Sequence, residues 1–271
     1  MSRWSPSALR VVLSPDQVML RQIRLTLGWR GLRHSLHEAH SVRCQSAPGS
    51  QSWRAALLAL EAALPGFADD GTAATVILSN HFLRYALVPW SAELTDAEEE
   101  LSFTRHCFAR VYGKAAQQWE VRLSQEASES PRLASAVDAE LLDGLRGVFD
   151  GAGIRLRSIQ PHLMAAFNAC RSGLPPTSAW FALLEPGSLC LGLLDHGHWL
   201  QMRSLRIGRA WHEELQLILE REAYLADNPL MPHEVYVLDA EGRDASLPET
   251  GNWKFHVLDH GLAPTAMLPA G

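Results

Sequence analysis

The chain has 271 residues, of which 47% are hydrophobic and 20% are charged, and its formal net charge at pH 7 is −6. This length and composition are typical of a globular protein with one large or two modest domains, and they exclude wholesale disorder. The acidic balance and the lack of a basic run argue against a nucleic-acid-binding protein. The four cysteines form no Cys-x-x-Cys pair, which is typical of a chain in a reducing compartment.

The sequence predicts no membrane-spanning helix. The most apolar segment, residues 178–207, is interrupted by Glu185, Pro186 and Asp195 before it reaches the roughly 20 apolar residues that a span needs. The N-terminus lacks the apolar core of a secretory signal. We therefore expect a cytoplasmic protein with no direct membrane span, which is peripheral to an inner membrane only through a partner.

The first part of the chain predicts a strand meander followed by a helix. Residues 9–13 and 17–27 favour two strands joined by a tight turn at Ser14-Pro15-Asp16, and residues 34–42 favour a third strand. Residues 52–64 carry apolar side chains at helical spacing, so they predict the first helix.

The middle of the chain predicts a hairpin, a helix and further strands. Residues 74–78 and 82–88 favour the two strands of the hairpin. Thr95-Asp96-Ala97-Glu98 is a capping-box signature, and the apolar face of the helix after it runs to Val111. Strands and helices then alternate as far as Cys170, in the order strand 118–125, strand 132–137, helix 139–151, strand 154–159 and helix 161–170.

Residues 178–207 predict a second meander, because two turn signals divide an apolar stretch into three parts. These signals are Pro186-Gly187 and His196-Gly197-His198. A long helix over about residues 209–226 follows, and strands are expected at residues 235–238 and 254–258.

The chain has two halves, and each begins with a meander of strands joined by tight turns. This order indicates an α/β, actin-like (ribonuclease H-like) fold. The predicted halves are residues 1–175 and residues 176–271, and the first contains a small inserted α/β subdomain at about residues 83–137. The second half is shortened, because few residues follow the helix that ends near Ala226.

Short patterns in this order resemble the pilus-assembly protein PilM. Residues 74–125 carry a strand pair that ends in Leu87-Val88-Pro89, then the helix opening Leu-Thr-Asp-Ala-Glu-Glu-Glu-Leu, and then a strand through Trp119. Residues 132–167 continue the resemblance through Ala152-Gly153-Ile154. The cytoplasmic part of the type II secretion protein GspL is a looser relative of the same fold.

The resemblance implies a scaffold that binds the cytoplasmic segment of a PilN-like inner-membrane protein and couples it to an assembly ATPase. By resemblance, Trp90, Phe103 and Tyr112 are candidates to line the groove for that peptide. Aromatic side chains are enriched at the centres of interfaces. The alternative is that these three residues belong to the ordinary core.

The resemblance also implies two phosphate turns of the form Asp, apolar residue, Gly and small hydroxyl residues, and this chain departs from both. In such turns the carboxylate positions a metal ion and glycine lets backbone donors approach phosphates. The first turn keeps Asp16 but has no glycine. The second keeps Gly187 and Ser188, but Glu185 is longer than Asp and Pro186 removes a donor. We expect no catalytic residue and no bound ATP or magnesium.

Two hypotheses about function stay open at this point. The first is a non-catalytic scaffold of a type IV pilus or type II secretion platform. The second is an active actin-like ATPase or small-molecule kinase that uses the turn at residues 185–188. No metal site is expected, because neither residues 34–40 nor His196 and His198 complete a tetrahedral ligand set.

Overall fold

The computed structural model describes residues 7–258, apart from residues 29–30, 37–38, 46–50, 69–70, 95, 125–129, 209, 227–230 and 241–250. The strands are β1 Ser7–Leu13, β2 Gln17–Gly28, β3 Gly31–Leu36, β4 His40–Arg43, β5 Ala73–Leu78, β6 Leu83–Val88, β7 Trp119–Leu123, β8 Arg132–Asp138, β9 Arg155–Pro161, β10 Ala179–Glu185, β11 Ser188–Asp195, β12 His198–Arg206, β13 Glu234–Asp239 and β14 Lys254–Val257. The helices are α1 Ser52–Ala63, α2 Ala97–Tyr112, α3 Ala139–Gly151, α4 His162–Cys170 and α5 Trp211–Ala226.

The described residues form two compact units. The first takes in the described residues up to Leu83, with Gln118–Glu120 and Val137–Ala165. The second takes in Arg84–Gln117, Val121–Ala136 and the described residues from Ala166 onward. The division predicted at residues 175–176, with an insertion at about residues 83–137, stays a prediction.

The sheet of the first unit is mixed. Its strand order is β3-β2-β1-β5-β9, and β4 also pairs with β2. The segment at residues 34–42 was predicted as one strand, but β3 and β4 divide it and pair with different parts of β2. The reason is the length of β2, whose 12 residues offer a pairing edge to both short strands. One face of the sheet carries fully buried apolar residues, among them Leu9, Val11 and Leu13.

A separate three-stranded sheet has the order β6-β8-β7, and α2 lies between β6 and β7 in the chain. The cap of α2 differs by one residue from the prediction. Asp96 is the N-cap, and its Oδ1 accepts hydrogen bonds of 2.8 Å from the backbone N–H groups of Glu98 and Glu99. An ion pair of 2.8 Å between Arg132 and Glu100 joins β8 to the same helix.

The sheet of the second unit has the order β12-β11-β10-β13-β14, so the predicted meander of residues 178–207 is confirmed. One face packs with Trp211, Leu215 and Leu219 of α5 in a single core cluster. The other face carries an aromatic cluster, in which the ring centroids of Phe167 and Trp199 are 4.7 Å apart and those of Phe167 and Phe181 are 5.8 Å apart. Both faces of β10 are therefore buried, as its continuous apolar sequence requires.

Among the helices that the structure describes, none combines the length and the apolar character that crossing a bilayer demands.

Candidate functional site

The turn between β10 and β11 brings together Glu185, Gly187 and Ser188. Glu185 pairs with Ser188 across the hairpin, which leaves Pro186 and Gly187 as an exposed two-residue loop. Gly187 has φ of 75°, a left-handed conformation that glycine adopts without strain. Proline before a residue of positive φ is the pattern of a type II turn. The local sequence therefore dictates this hairpin, whether or not it binds a ligand.

The same turn has few backbone donors to offer to an anion. Pro186 has no N–H group. The carbonyl oxygen of Gly187 accepts a hydrogen bond of 3.3 Å from the N–H of Ile207, which ties the loop to the end of β12. Turns that bind the phosphates of a nucleotide depend on several backbone N–H groups that converge on one anion.

A buried carboxylate that the sequence did not single out, Asp239, ends the neighbouring strand β13. It is 5% exposed, Glu185 is 6% exposed, and β10 and β13 are parallel, so both carboxylates end strands at the same edge of the sheet. Asp239 is in register with Leu184 rather than with Glu185, however, so the two carboxylates belong to opposite faces. An Asp directly after an apolar strand was the signal available in the sequence.

Cys190 lies beside this turn as an unreactive thiol. Burial raises the pKa of Cys190 far above its ordinary value, and the nearby charge of Glu185 raises it further, although a contact with the hydroxyl of Ser204 opposes this. The Sγ to Oγ distance in that contact is 3.8 Å. Because only a thiolate is nucleophilic, Cys190 serves as a buried apolar side chain at neutral pH.

Asp16 lies on the other predicted turn, in the first unit. The turn closes on itself: the N–H of Ser14 donates to the carbonyl oxygen of Gln17 over 3.0 Å, and the N–H of Gln17 donates to Oγ of Ser14 over 3.3 Å. The carbonyl oxygen of Asp16 accepts from the N–H of Cys44 over 2.8 Å, while the residue itself is exposed. The N–H groups of Ser14 and Gln17 are therefore used within the turn.

The three aromatic residues predicted to bind a partner differ in position. Trp90 is 41% exposed, Tyr112 is 37% exposed, and Phe103 is half-buried. Phe103 and Tyr112 are nine residues apart on α2, which at about 100° per residue places them on opposite sides of the helix. Tyr112 stacks on Phe108, with ring centroids 6.3 Å apart. The helix therefore does not bring Phe103 and Tyr112 into one groove.

The turn between β11 and β12 is a hydrogen-bonded corner. His196 and Gly197 have φ of 50° and 81°, and Nδ1 of His196 is 3.0 Å from Oδ1 of Asp195. The same carboxylate accepts a hydrogen bond of 2.5 Å from Ser178, and this bond, followed by that of His196, holds the pKa of Asp195 below its usual value. Throughout the part of the chain that the structure describes, no group of three or more His, Cys, Asp or Glu side chains is placed to hold a metal ion.

The fold is shared with solved structures of low sequence identity. The cytoplasmic domain of EpsL, an inner-membrane component of the type II secretion system of Vibrio cholerae, matches with a TM-score of 0.57 and 14% identity over 93% of this chain and 90% of that chain. A structure of the PilM-PilN type IV pilus biogenesis complex matches with a TM-score of 0.57 and 16% identity over 88% and 82%.

A Bacteroides thetaiotaomicron protein of unknown function with an actin-like ATPase fold matches with a TM-score of 0.55 and 10% identity, over 86% of this chain and 81% of that chain. No family model matches the chain, and no curated protein matches it in sequence. The actin-like fold that the sequence predicted is confirmed, and so is its likeness in fold to PilM and to the secretion protein.

Proposed function

We propose that this protein is a non-catalytic cytoplasmic scaffold of an inner-membrane type IV pilus or type II secretion platform. In this role it binds the cytoplasmic peptide of a membrane-anchored, PilN-like partner and connects that partner to an assembly ATPase. The two-residue loop Pro186-Gly187 is the observation that carries the proposal. It keeps the hairpin of an actin-like fold, but Pro186 has no backbone N–H to donate to a phosphate.

Two further observations support a binding role. The first turn has no glycine, and its Ser14 and Gln17 donors are used within the turn. The proteins that share the fold include an inner-membrane secretion component and PilM in complex with PilN. A fold shared at this level of identity does not determine function by itself, so the chemistry of the turns remains the main argument.

Calorimetric titration with ATP and magnesium tests the loss of nucleotide chemistry. We expect no binding heat at micromolar protein and no release of phosphate over hours. A dissociation constant in the micromolar range, abolished by substitution Glu185→Gln, would instead establish the alternative of an active ATPase or kinase. That alternative has one observation in its favour, the buried Glu185 beside Ser188 at the edge of the sheet.

Titration with a synthetic peptide tests the partner. The peptide reproduces the N-terminal cytoplasmic segment of a PilN-like protein from the same organism. We expect saturable binding that substitution Trp90→Ala weakens at least tenfold, because exposed tryptophans are frequent hot spots. Since Phe103 and Tyr112 face opposite ways on α2, we expect only one of the substitutions Phe103→Ala and Tyr112→Ala to weaken binding as strongly.

Substitution Leu58→Ala is the matched control, because Leu58 is an exposed apolar residue, at 67%, on a helix of the first unit. It should leave peptide binding unchanged. Equal binding by the wild-type chain and all three aromatic variants would rule out this groove. No binding of the peptide by the wild-type chain would rule out the proposed partner.

A further inference from the structure

Two arginines lie directly opposite each other on adjacent strands of the first unit. Arg10 of β1 is in register with Arg21 of β2 in the antiparallel pair. Such partners have Cβ atoms only about 4.5–5.5 Å apart, and like charges in this position repel each other. Arg10 is 9% exposed as a residue, and Nη1 of its guanidinium is buried. This arrangement is costly unless an anion lies nearby.

Neither guanidinium is fully satisfied by the protein. Nη1 of Arg10 and Nε of Arg21 are both buried, and neither has a hydrogen-bond partner within the part of the chain that the structure describes. Burial lowers the pKa of Arg10, and the charge of Arg21 lowers it further. Both observations indicate a site that is strongly positive and short of acceptors.

The neighbouring strands add neutral donors on the same face. Thr75 of β5 is in register with Arg10, and Ser158 of β9 is in register with Thr75. Nε2 of Gln160 donates to Oγ of Ser158 over 3.3 Å, and that hydroxyl donates to Oγ1 of Thr75 over 3.4 Å. This chain of donors leaves the Thr75 proton free to donate beside Arg10.

Among the described strand residues of this face, no carboxylate compensates the two charges. Of the described residues that the pairing places on this face of β1, β2, β5 and β9, none is Asp or Glu. Those next to the arginines are Ala8, Val12, Met19, Ile23, Ala73 and Ile77. On the opposite face, Leu9, Val11 and Leu13 of β1 are at 1% exposure or less, and Gln22 of β2 is the residue in register with Leu9.

From this juxtaposition we infer that Arg10 and Arg21 bind a phosphate group on the face of the first sheet, with the Thr75 hydroxyl as a third donor. Guanidinium groups match the oxygens of phosphate with paired hydrogen bonds. A phosphate dianion neutralises both charges, whereas a monocarboxylate neutralises only one. The site differs from the two turns, because its residues lie within strands rather than in loops, and it does not depend on the proposed scaffold function.

Thermal unfolding at constant ionic strength tests the site. The full chain is melted in sodium chloride, in inorganic phosphate and in acetate. We expect phosphate to raise the melting temperature in a concentration-dependent manner, because it binds only the folded state, and acetate to have little effect. No difference between phosphate and chloride would overturn the inference. A further melting series in AMP shows whether the site takes free phosphate or a phosphate group of a larger molecule. Only a site open to larger ligands lets AMP raise the melting temperature as inorganic phosphate does.

Substitution Arg10→Met separates ligand binding from a structural role. Met preserves much of the side-chain volume without the charge, so the variant should melt at the same or a higher temperature than the wild type in chloride. Its affinity for phosphate should fall by about ten- to one-hundredfold, as expected for loss of a charged hydrogen bond. Substitution Arg21→Gln should weaken phosphate binding similarly.

Substitution Arg54→Gln is the matched control, since it removes an equal charge from an exposed position on α1 of the same unit. It should keep the full response to phosphate. A variant at Arg10 that melts lower than the wild type in chloride and keeps its phosphate response would show that the arginine is structural. A phosphate response lost equally in the Arg54 variant would show a general charge effect and overturn the site.

Discussion

Gly192 is the residue at which the aromatic cluster of the second unit meets the backbone of its sheet. A Cβ atom at this position would overlap the ring of Trp199, which is buried beside Phe167 and Phe181. Substitution Gly192→Ala should therefore lower the free energy of unfolding by about 1–3 kcal/mol, the usual cost of overpacking a core. Urea unfolding monitored by tryptophan fluorescence measures this change.

Gly147 on α3 is the control for this substitution, because a Cβ atom added there would enter open space. Substitution Gly147→Ala should stabilise the chain by about 0.5–1 kcal/mol through helix propensity. If both variants changed stability in the same direction, the contact between Gly192 and Trp199 would not be the cause.

Residues whose role is local were predictable, and residues whose role depends on packing were not. The Pro186-Gly187 turn follows from the fixed φ of proline and the left-handed φ of glycine, so the sequence alone indicated it. The pairing of Arg10 with Arg21 depends on strand register, which the sequence did not specify. Asp239 follows a predicted strand, but its face depends on the parallel pairing with β10.

At the scale of one element, the cap of α2 gives a direct test of local stabilisation. Asp96 satisfies the N–H groups of Glu98 and Glu99 at the start of the helix. Substitution Asp96→Ala should cost about 1 kcal/mol of unfolding free energy, and Asp96→Asn should cost much less because Asn is an equally good cap. Urea denaturation compares the two, and equal losses would show that the side-chain oxygen is not what stabilises the helix.

For the same helix, the sequence predicted the element but not its first residue. Thr95 with Glu98 and Asp96 with Glu99 both fit a capping pattern, so the sequence left the boundary ambiguous by one residue. The helix itself and the meander of residues 178–207 were predicted, because apolar spacing and turn residues are local signals. The division of residues 34–42 into two strands follows from the length of β2, which is information from elsewhere in the chain.

At the scale of the whole molecule, carboxylates with lowered pKa values cluster in the second unit. Hydrogen bonds from Ser178 and then His196 lower the pKa of Asp195, and those from His256 and then Lys254 lower that of Glu234. Burial pushes the pKa of Glu222 upward, but hydrogen bonds from Arg221 and Arg203 outweigh it and leave the pKa below its usual value.

These shifts predict that acid destabilises the second unit. A carboxylate whose pKa is lower in the folded state stabilises the fold fully above its ordinary value of about 4. That contribution is lost as the pH falls through the lowered, folded-state pKa. Pepsin digestion between pH 4 and pH 2, with the cleavage sites mapped by mass spectrometry, should therefore cut the second unit first. First cleavages in β1, β2 or α1 would contradict this order.

Glu222 is the carboxylate best placed to carry this effect, because it is 1% exposed and joins α5 to β12 through Gln201 and Arg203. Substitution Glu222→Gln should cost about 1–3 kcal/mol of unfolding free energy at pH 7, the range for a hydrogen bond to a charged group. The difference from the wild type should shrink as the pH falls below the ordinary carboxyl pKa of about 4 and through the lowered folded-state pKa of Glu222, where the native carboxylate also becomes neutral. Substitution Glu220→Gln, on an exposed neighbour in the same helix, should change stability little at any pH. Urea unfolding at pH 7, 5, 4 and 3 measures both variants, and a Glu222→Gln deficit that stays constant with pH would show that packing around the amide, rather than the lost charge, destabilises the variant.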